Sequence, residues 1–170
     1  MKIIAITSRL YLREFVLDDA NHFYDLNNDK DVIKYTGDPP FKTVSEAERF
    51  IKNYSEYDNY GYGRWAVCLK DSDNFIGFCG LKFHPEEEIT EVGFRFFKNQ
   101  WNKGYATESA ITCIDYGFSK LNLTEIYAHV HVNNLASQQV IKKCGLHLLK
   151  TIQYDGQPTY LYSIKKPKDL

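Results

Sequence analysis

The stretch that most restricts how this chain can fold is Glu91 to Ala110, where a strand pattern gives way to a glycine-containing loop and then to an amphipathic helix. Val92, Phe94 and Phe96 fall on one side of the strand and Glu91, Gly93 and Arg95 on the other, the alternation that extended backbone produces. Beyond Trp101-Asn102-Lys103-Gly104, the residues Ile111, Ile114, Phe118 and Leu121 recur at helical spacing and predict one apolar face. Another strand, Ile126 to Val132, follows. A strand, a helical crossover and a second strand set those two strands parallel.

The segments before and after add antiparallel strands. Trp65-Ala66-Val67-Cys68-Leu69 and Phe75 to Leu81 flank the polar turn Asp71-Ser72-Asp73-Asn74 and read as a hairpin. The acidic turn Pro85-Glu86-Glu87-Glu88 leads from it into the Glu91 strand. Near the amino terminus, Leu10, Leu12 and Phe15 form a short extended stretch. Asp18-Asp19 then caps a helix through Phe23, Tyr24 and Leu26, and a second helix starts near Thr43 and fades into a Tyr- and Gly-rich loop. A short helix from about Leu135 to Cys144 ends at Gly145, which suits a left-handed cap. Two closing strands meet at Tyr154-Asp155-Gly156-Gln157, where Asp-Gly supplies the positive φ values of a type I′ turn. The expected order is β-α-α-β-β-β-α-β-α-β-β: an α+β fold with a central, mostly antiparallel, mixed sheet flanked by helices. No repeat and no Pro- or Ser-rich linker interrupts it, so residues 1–170 are read as one domain.

Composition narrows the function classes. Hydrophobic residues make up 44% of the 170 and charged residues 25%, enough apolar surface for a core and too much for a disordered chain. Lys and Arg number 21 against 22 Asp and Glu, a net charge of -1, so no global field draws the chain to nucleic acid or an anionic membrane. The amino-terminal apolar run, Ile3 to Ile6, is shorter than a signal peptide or a spanning helix requires. A cytoplasmic protein with no nucleic-acid or membrane partner is expected. Cys68, Cys79, Cys113 and Cys144 show no paired spacing and read as buried thiols. His129 and His131 share a strand face, but no third ligand is evident and no metal is expected.

The loop before the 106–120 helix carries the chemistry. Unpaired backbone N–H groups at a helix start suit a phosphate or pyrophosphate, and the small residues Gly104 and Ala106 let such a group approach the backbone. The loop matches neither G-x-x-x-x-G-K-[ST] nor G-x-G-x-x-G, which removes the main support for nucleotide-triphosphate and dinucleotide binding.

Trp101-Asn102-Lys103-Gly104-Tyr105-Ala106 resembles the acetyl-coenzyme A loop Q/R-x-x-G-x-G/A of the GNAT superfamily of N-acetyltransferases, with Trp in first position. Asn134-Leu135-Ala136-Ser137 leading to Lys143-Cys144-Gly145-Leu146 resembles that superfamily's N-x-x-S…K-x-G-F segment. A Trp followed by Gly-Tyr-Ala-Thr-Glu is similar to the branch that acetylates N-terminal serine or alanine of ribosomal proteins. The resemblance implies a sheet that splays beside the Glu91 strand. There the backbone of Phe94, Arg95 and Phe96 would bond the pantetheine of acetyl-coenzyme A as a further strand does. It implies that Asn102, Lys103, Gly104, Tyr105, Ala106 and Thr107 hold the pyrophosphate, with Lys103 adding charge and Glu108 pointing away, and that Asn134 and Ser137 lie at the thiol end.

By the same resemblance, the usual Tyr proton donor is replaced by Ile141, and Ser137 is the group that can bond the departing sulfur. The base is His129, where some N-terminal acetyltransferases carry Glu, or Glu91, in the branch's Glu-x-Gly-aromatic pattern. An α-amine with a pKa of about 8 asks less of a base than a lysine-like amine near about 10.4. The expected activity is direct acetyl transfer from acetyl-coenzyme A to a primary amine, with a protein N-terminus, such as that of a ribosomal protein, as acceptor. The alternatives are a polyamine or other small amine, or a non-catalytic acyl-coenzyme A-binding module, which Ile141 motivates. Both monomer and homodimer fit the sequence.

Several of these residues also have plain structural readings. Asn134 is a good N-cap and Ser137 an ordinary first-turn residue in any protein. Glu91 could be an exposed strand carboxylate, and Glu86-Glu87-Glu88 a solvated turn. Tyr54, Tyr57, Tyr60 and Tyr62 suit packing better than a cation–π wall for the amine.

Overall fold

The computed structural model describes residues 1–168. Its strands are β1 (Ile3–Ile6), β2 (Leu10–Arg13), β3 (Arg64–Leu69), β4 (Phe75–His84), β5 (Ile89–Phe96), β6 (Glu125–His131), β7 (His147–Tyr154) and β8 (Gln157–Lys165). The helices are α1 (Ala20–Asn28), α2 (Val44–Lys52), α3 (Glu56–Tyr60), α4 (Tyr105–Ser119) and α5 (Leu135–Lys143). All eight strands join one sheet in the order β1-β2-β3-β4-β5-β6-β8-β7. Every neighbouring pair is antiparallel except β5 and β6, the pair that α4 connects.

Strand β3 is apolar almost throughout because both its faces are covered. Trp65 and Val67 enter a cluster with Cys113, Ile114 and Phe118 of α4, while Ala66 and Cys68 enter a second with Phe23, Leu26, Ala47 and Ile51 of α1 and α2. The sheet is thus the middle layer of three. All four cysteines are buried and unpaired by disulfides, as expected.

The last hairpin forms as its sequence predicts, with Tyr154 opposite Gln157 and both Asp155 (φ 48°) and Gly156 (φ 73°) in the left-handed region. Helix α2 starts at Thr43, whose hydroxyl accepts from the Glu46 N–H, while the Glu46 carboxylate accepts from the Lys42 N–H. This reciprocal arrangement satisfies donors that a helix start leaves free.

Four expectations need correction. Ile3–Ile6 is a strand paired with β2, since an edge strand needs a partner on one side only. The Tyr- and Gly-rich loop contains the short helix α3, ended by Gly61 at φ 77°. Asp19 does not cap α1. Its carboxylate is held by both Arg13 guanidinium nitrogens, at 2.6 and 2.7 Å, and accepts the Val16 N–H, so a buried ion pair outcompetes the cap. On α4 the buried stripe is Ala110, Cys113, Ile114, Gly117 and Phe118. Ile111 lies off it, 40% exposed, because small residues let the helix sit close to the sheet.

Candidate functional site

Strands β5 and β6 share a single ladder position, Glu91 with Tyr127. Beyond it they part, and the end of β5 that carries Phe94, Arg95 and Phe96 loses its β6 neighbour. The predicted splay is therefore present. One main-chain group there is already used: the Trp101 indole N–H donates to the Phe96 carbonyl at 3.0 Å. That bond ties the loop back onto the end of β5 and gives the Trp in first position a structural purpose. The Arg95 side chain turns away toward α1, bonding Asn27 and pairing with Asp38 at 2.6 Å, so its backbone is what it offers to the splay.

The loop after β5 ends at Gly104, whose φ of 84° makes it a left-handed N-cap of α4 with no side-chain cap. The first intrahelical bond runs from the Glu108 N–H to the Gly104 carbonyl. The preceding N–H groups, Tyr105 to Thr107, are left for an anion. Glu108 is drawn aside as anticipated. Thr7 and Ser8 donate to one carboxylate oxygen, at 2.6 and 3.1 Å, and the Arg9 Nε donates to the other at 2.7 Å. Burial pushes this carboxyl up, but the bonds from Thr7 and Arg9 prevail and hold it below its usual value. Arg9 also donates to the Lys103 carbonyl at 2.9 Å and lies 4.6 Å over the Tyr105 ring. It is an exposed cation at the loop that no local motif could announce, because it comes from the β1–β2 turn. The Lys103 Nζ donates to the Gln100 side chain at 3.2 Å.

At the far end of the splay, Asn134 caps α5 by accepting the Ser137 N–H at 3.1 Å. The cap uses the backbone of Ser137, not its hydroxyl. Ile141, in the position of the missing Tyr, is buried at 1% exposure and belongs to the core.

Between the two ends a cleft of about 1110 Å³ is lined by Glu91, Phe94, Arg95, His129, Asn134 and Ser137 among others. Residues 102–107 do not line it; they lie past the end of β5. A second hollow of about 940 Å³ under β1 and β2 contains none of the predicted residues.

Glu91 is not the exposed carboxylate that a bare strand reading allows. Its Oε2 lies 2.5 Å from the His129 Nδ1 and 3.4 Å from the His84 Nε2, and its Oε1 pairs with Arg64. Burial alone would raise this carboxyl, but the Arg64 guanidinium, the bond from His129 and the nearby His84 imidazole hold it well below the usual carboxylate range. Arg64 reaches Glu91 across Gly93, where a Cβ would lie 2.6 Å from the guanidinium carbon. That close approach accounts for the Gly in Glu-x-Gly-aromatic. His129 is stacked on Tyr154 with centroids 4.1 Å apart, and its Nε2 is buried without a hydrogen-bond partner, 3.8 Å from Glu87 Oε2. His131, on the same strand face, instead stacks on Tyr35 at 5.0 Å.

Three of the four tyrosines hold structure through their hydroxyls. The Tyr54 hydroxyl accepts the Arg64 N–H at 2.6 Å, the Tyr57 hydroxyl donates to the Arg64 carbonyl, and the Tyr62 hydroxyl pairs with Thr90 at 2.7 Å. Tyr54 and Tyr57 thus clamp the backbone of the residue whose side chain holds Glu91. Sequence reasoning missed Arg64, His84 and Tyr154, which come from separate strands; the Gly of the third-strand pattern was the one available hint of a crossing side chain.

A splayed mixed sheet with a free helix start at one end and a buried carboxylate–imidazole pair beside the gap is the architecture of an acyl-coenzyme A-dependent transferase. The model of the acetyltransferase (GNAT) domain matches residues 9–147, and the chain belongs to this family. It is 36% identical over 140 residues to the uncharacterized N-acetyltransferase YnaD of Bacillus subtilis, covering 82% of this chain and 80% of that one. It is 35% identical over 137 residues to the uncharacterized N-acetyltransferase p20 of Bacillus licheniformis, covering 79% and 77%. Among solved structures, a GNAT-family acetyltransferase from Bacillus anthracis matches with a TM-score of 0.81 at 27% identity, over 98% of this chain and 99% of that one. The chain is an N-acetyltransferase, and the family uses acetyl-coenzyme A.

Proposed function

We propose that this enzyme acetylates the free α-amine of a peptide or protein N-terminus. Acetyl-coenzyme A, when bound, supplies an activated acyl thioester. The first-turn N–H groups of α4, with Asn102, Lys103 and Gly104 ahead of them, would hold its pyrophosphate. The backbone of β5 from Phe94 to Phe96 would hold its pantetheine, and Asn134 and Ser137 would lie at its thiol.

In this reading His129 Nε2 takes the proton that the attacking amine gives up, once the half-exposed Glu87 side chain swings aside. Glu91 fixes the imidazole by accepting from Nδ1, and Arg64 fixes Glu91. A carboxylate held so far below its ordinary range is a poor proton acceptor, which favours His129 over Glu91 as base. Ser137 and the start of α5 present donors to the leaving sulfur.

The observation that carries the choice of acceptor is the charge balance of the cleft. Five carboxylates (Asp38, Glu46, Glu56, Glu91 and Asp155) line it beside five cations (Lys42, Arg49, Arg64, Lys82 and Arg95), with Glu91 paired to Arg64 and Asp38 to Arg95. Such a lining suits an acceptor with one amine better than a chain of several cations. A polyamine is the second reading, favoured by 26% identity over 157 residues to the spermidine N(1)-acetyltransferase of Vibrio cholerae. Coenzyme A release measured on a peptide panel, on the same peptides with blocked N-termini and on spermidine separates the two. Turnover on free peptides that disappears on blocking is expected. Turnover confined to spermidine overturns the peptide reading, and acetyl-coenzyme A binding without turnover on any amine leaves only the binding module.

A further inference from the structure

Three strands that share no local motif bring His84, Glu91 and His129 together, with one ligand atom from each lying within 4.8 Å of the others. We infer that these three residues form a zinc site whose occupation switches the transferase off.

The donor set is two imidazoles and a carboxylate, which is zinc chemistry. Zinc bonds of about 2.0–2.2 Å in tetrahedral geometry set neighbouring ligand atoms about 3.3 Å apart. The His84 Nε2 to Glu91 Oε2 separation is already 3.4 Å. The His129 Nδ1 to Glu91 Oε2 separation of 2.5 Å must widen by about 0.8 Å, which small side-chain rotations provide. His84 Nε2 is buried and has no hydrogen-bond partner, while the other ring nitrogen of His84 faces the Tyr154 hydroxyl at 3.4 Å. An imidazole nitrogen without a hydrogen bond, 3.4 Å from a carboxylate oxygen, has its lone pair free for a ligand between the two. Arg64 occupies only Oε1 of Glu91, leaving Oε2 to the metal; an outer hydrogen bond of this kind orients a ligating carboxylate. Water completes the fourth position.

The inhibition rests on the function proposed above. Zinc on His129 Nδ1 displaces the proton that Nδ1 shares with Glu91, and that proton moves to Nε2. Nε2 then has no lone pair for an incoming amine. The number of bound protons is unchanged, and no oxidation occurs.

The test uses the full chain, stripped of metal, with Co²⁺ and Zn²⁺ alone as probes. Expected is the visible absorption of tetrahedral Co²⁺ without a thiolate charge-transfer band, abolished by Zn²⁺. His84→Ala and the larger His84→Asn, each confirmed folded by circular dichroism, should bind at least about 10-fold more weakly, since even outer-shell partners of a metal are worth that much. Zn²⁺ should inhibit wild-type acetyl transfer and spare both variants. Absence of a tetrahedral spectrum at millimolar Co²⁺ overturns the site, as does a thiolate band or an affinity unchanged in both variants. Because metal binding is read without either substrate, a protein that binds Co²⁺ yet acetylates nothing keeps the site and loses the proposed function. One that acetylates and ignores the metal does the reverse.

Discussion

At position 93 a single methyl group decides whether Arg64 can cross β5. Gly93→Ala places a Cβ against the guanidinium, the flexible end of Arg64. The side chain can retreat, so the stability cost should stay near the lower end of the about 1–3 kcal/mol typical of overpacking. The retreat takes Arg64 off Glu91, and kcat/KM should fall by much more than the loss of stability explains. Urea unfolding beside steady-state kinetics checks the contrast. Ser137 offers a second contrast. Its hydroxyl is outside the cap bond, and a bond to sulfur strengthens only as thiolate develops. Ser137→Ala should therefore lower kcat while the KM for acetyl-coenzyme A stays within about twofold. Unchanged kcat removes Ser137 from the reaction.

Elements place these residues, and the free start of α4 is the one on which most depends. Gly104 at φ 84° holds the turn into the helix. Gly104→Val forces a branched side chain into that region at about 1–2 kcal/mol and crowds the anion site. The KM for acetyl-coenzyme A should rise more than kcat falls, as kinetics at varied cosubstrate will show. Glu108, in the same first turn, ties α4 to the β1–β2 turn. Its folded pKa is lowered from 4.5, so the stability it contributes is present above that value and is lost as pH falls through the depressed one. Glu108→Gln should be less stable than wild type at neutral pH and lose less on acidification below about pH 4.5, as denaturant melts across pH will test. This level was the most legible in the sequence. Period-two alternation, the Asp155-Gly156 turn and the Asn134 cap are local, and each reports its own element. Arg9 at the α4 loop and Arg64 beside Glu91 reach their places through sheet order, which no window of residues encodes. Asp19 shows a different limit, since a good capping residue was taken by an ion pair with Arg13, six residues back, once both side chains were buried.

At the scale of the whole molecule, three layers bury all four thiols, with Cys68 and Cys79 at 0% exposure, Cys113 at 1% and Cys144 at 8%. Burial pushes the Cys144 thiol up to about 12. At about pH 8.5, where a free cysteine is half thiolate, iodoacetamide should leave the native protein unlabelled and modify all four positions after denaturation, a difference mass spectrometry reads directly. The single rung between β5 and β6 has a broader consequence. The sheet is in effect a five-strand panel and a three-strand panel sewn together at one stitch, with the α4 crossover as a strap behind the seam. A molecule that lies in the seam supplies the missing stitches, so occupancy and the cohesion of the two panels become a single quantity. Added at about 100 times its dissociation constant, such a molecule stabilises the folded protein against unfolding by about 2.7 kcal/mol, and its departure returns the fold to its loosest line.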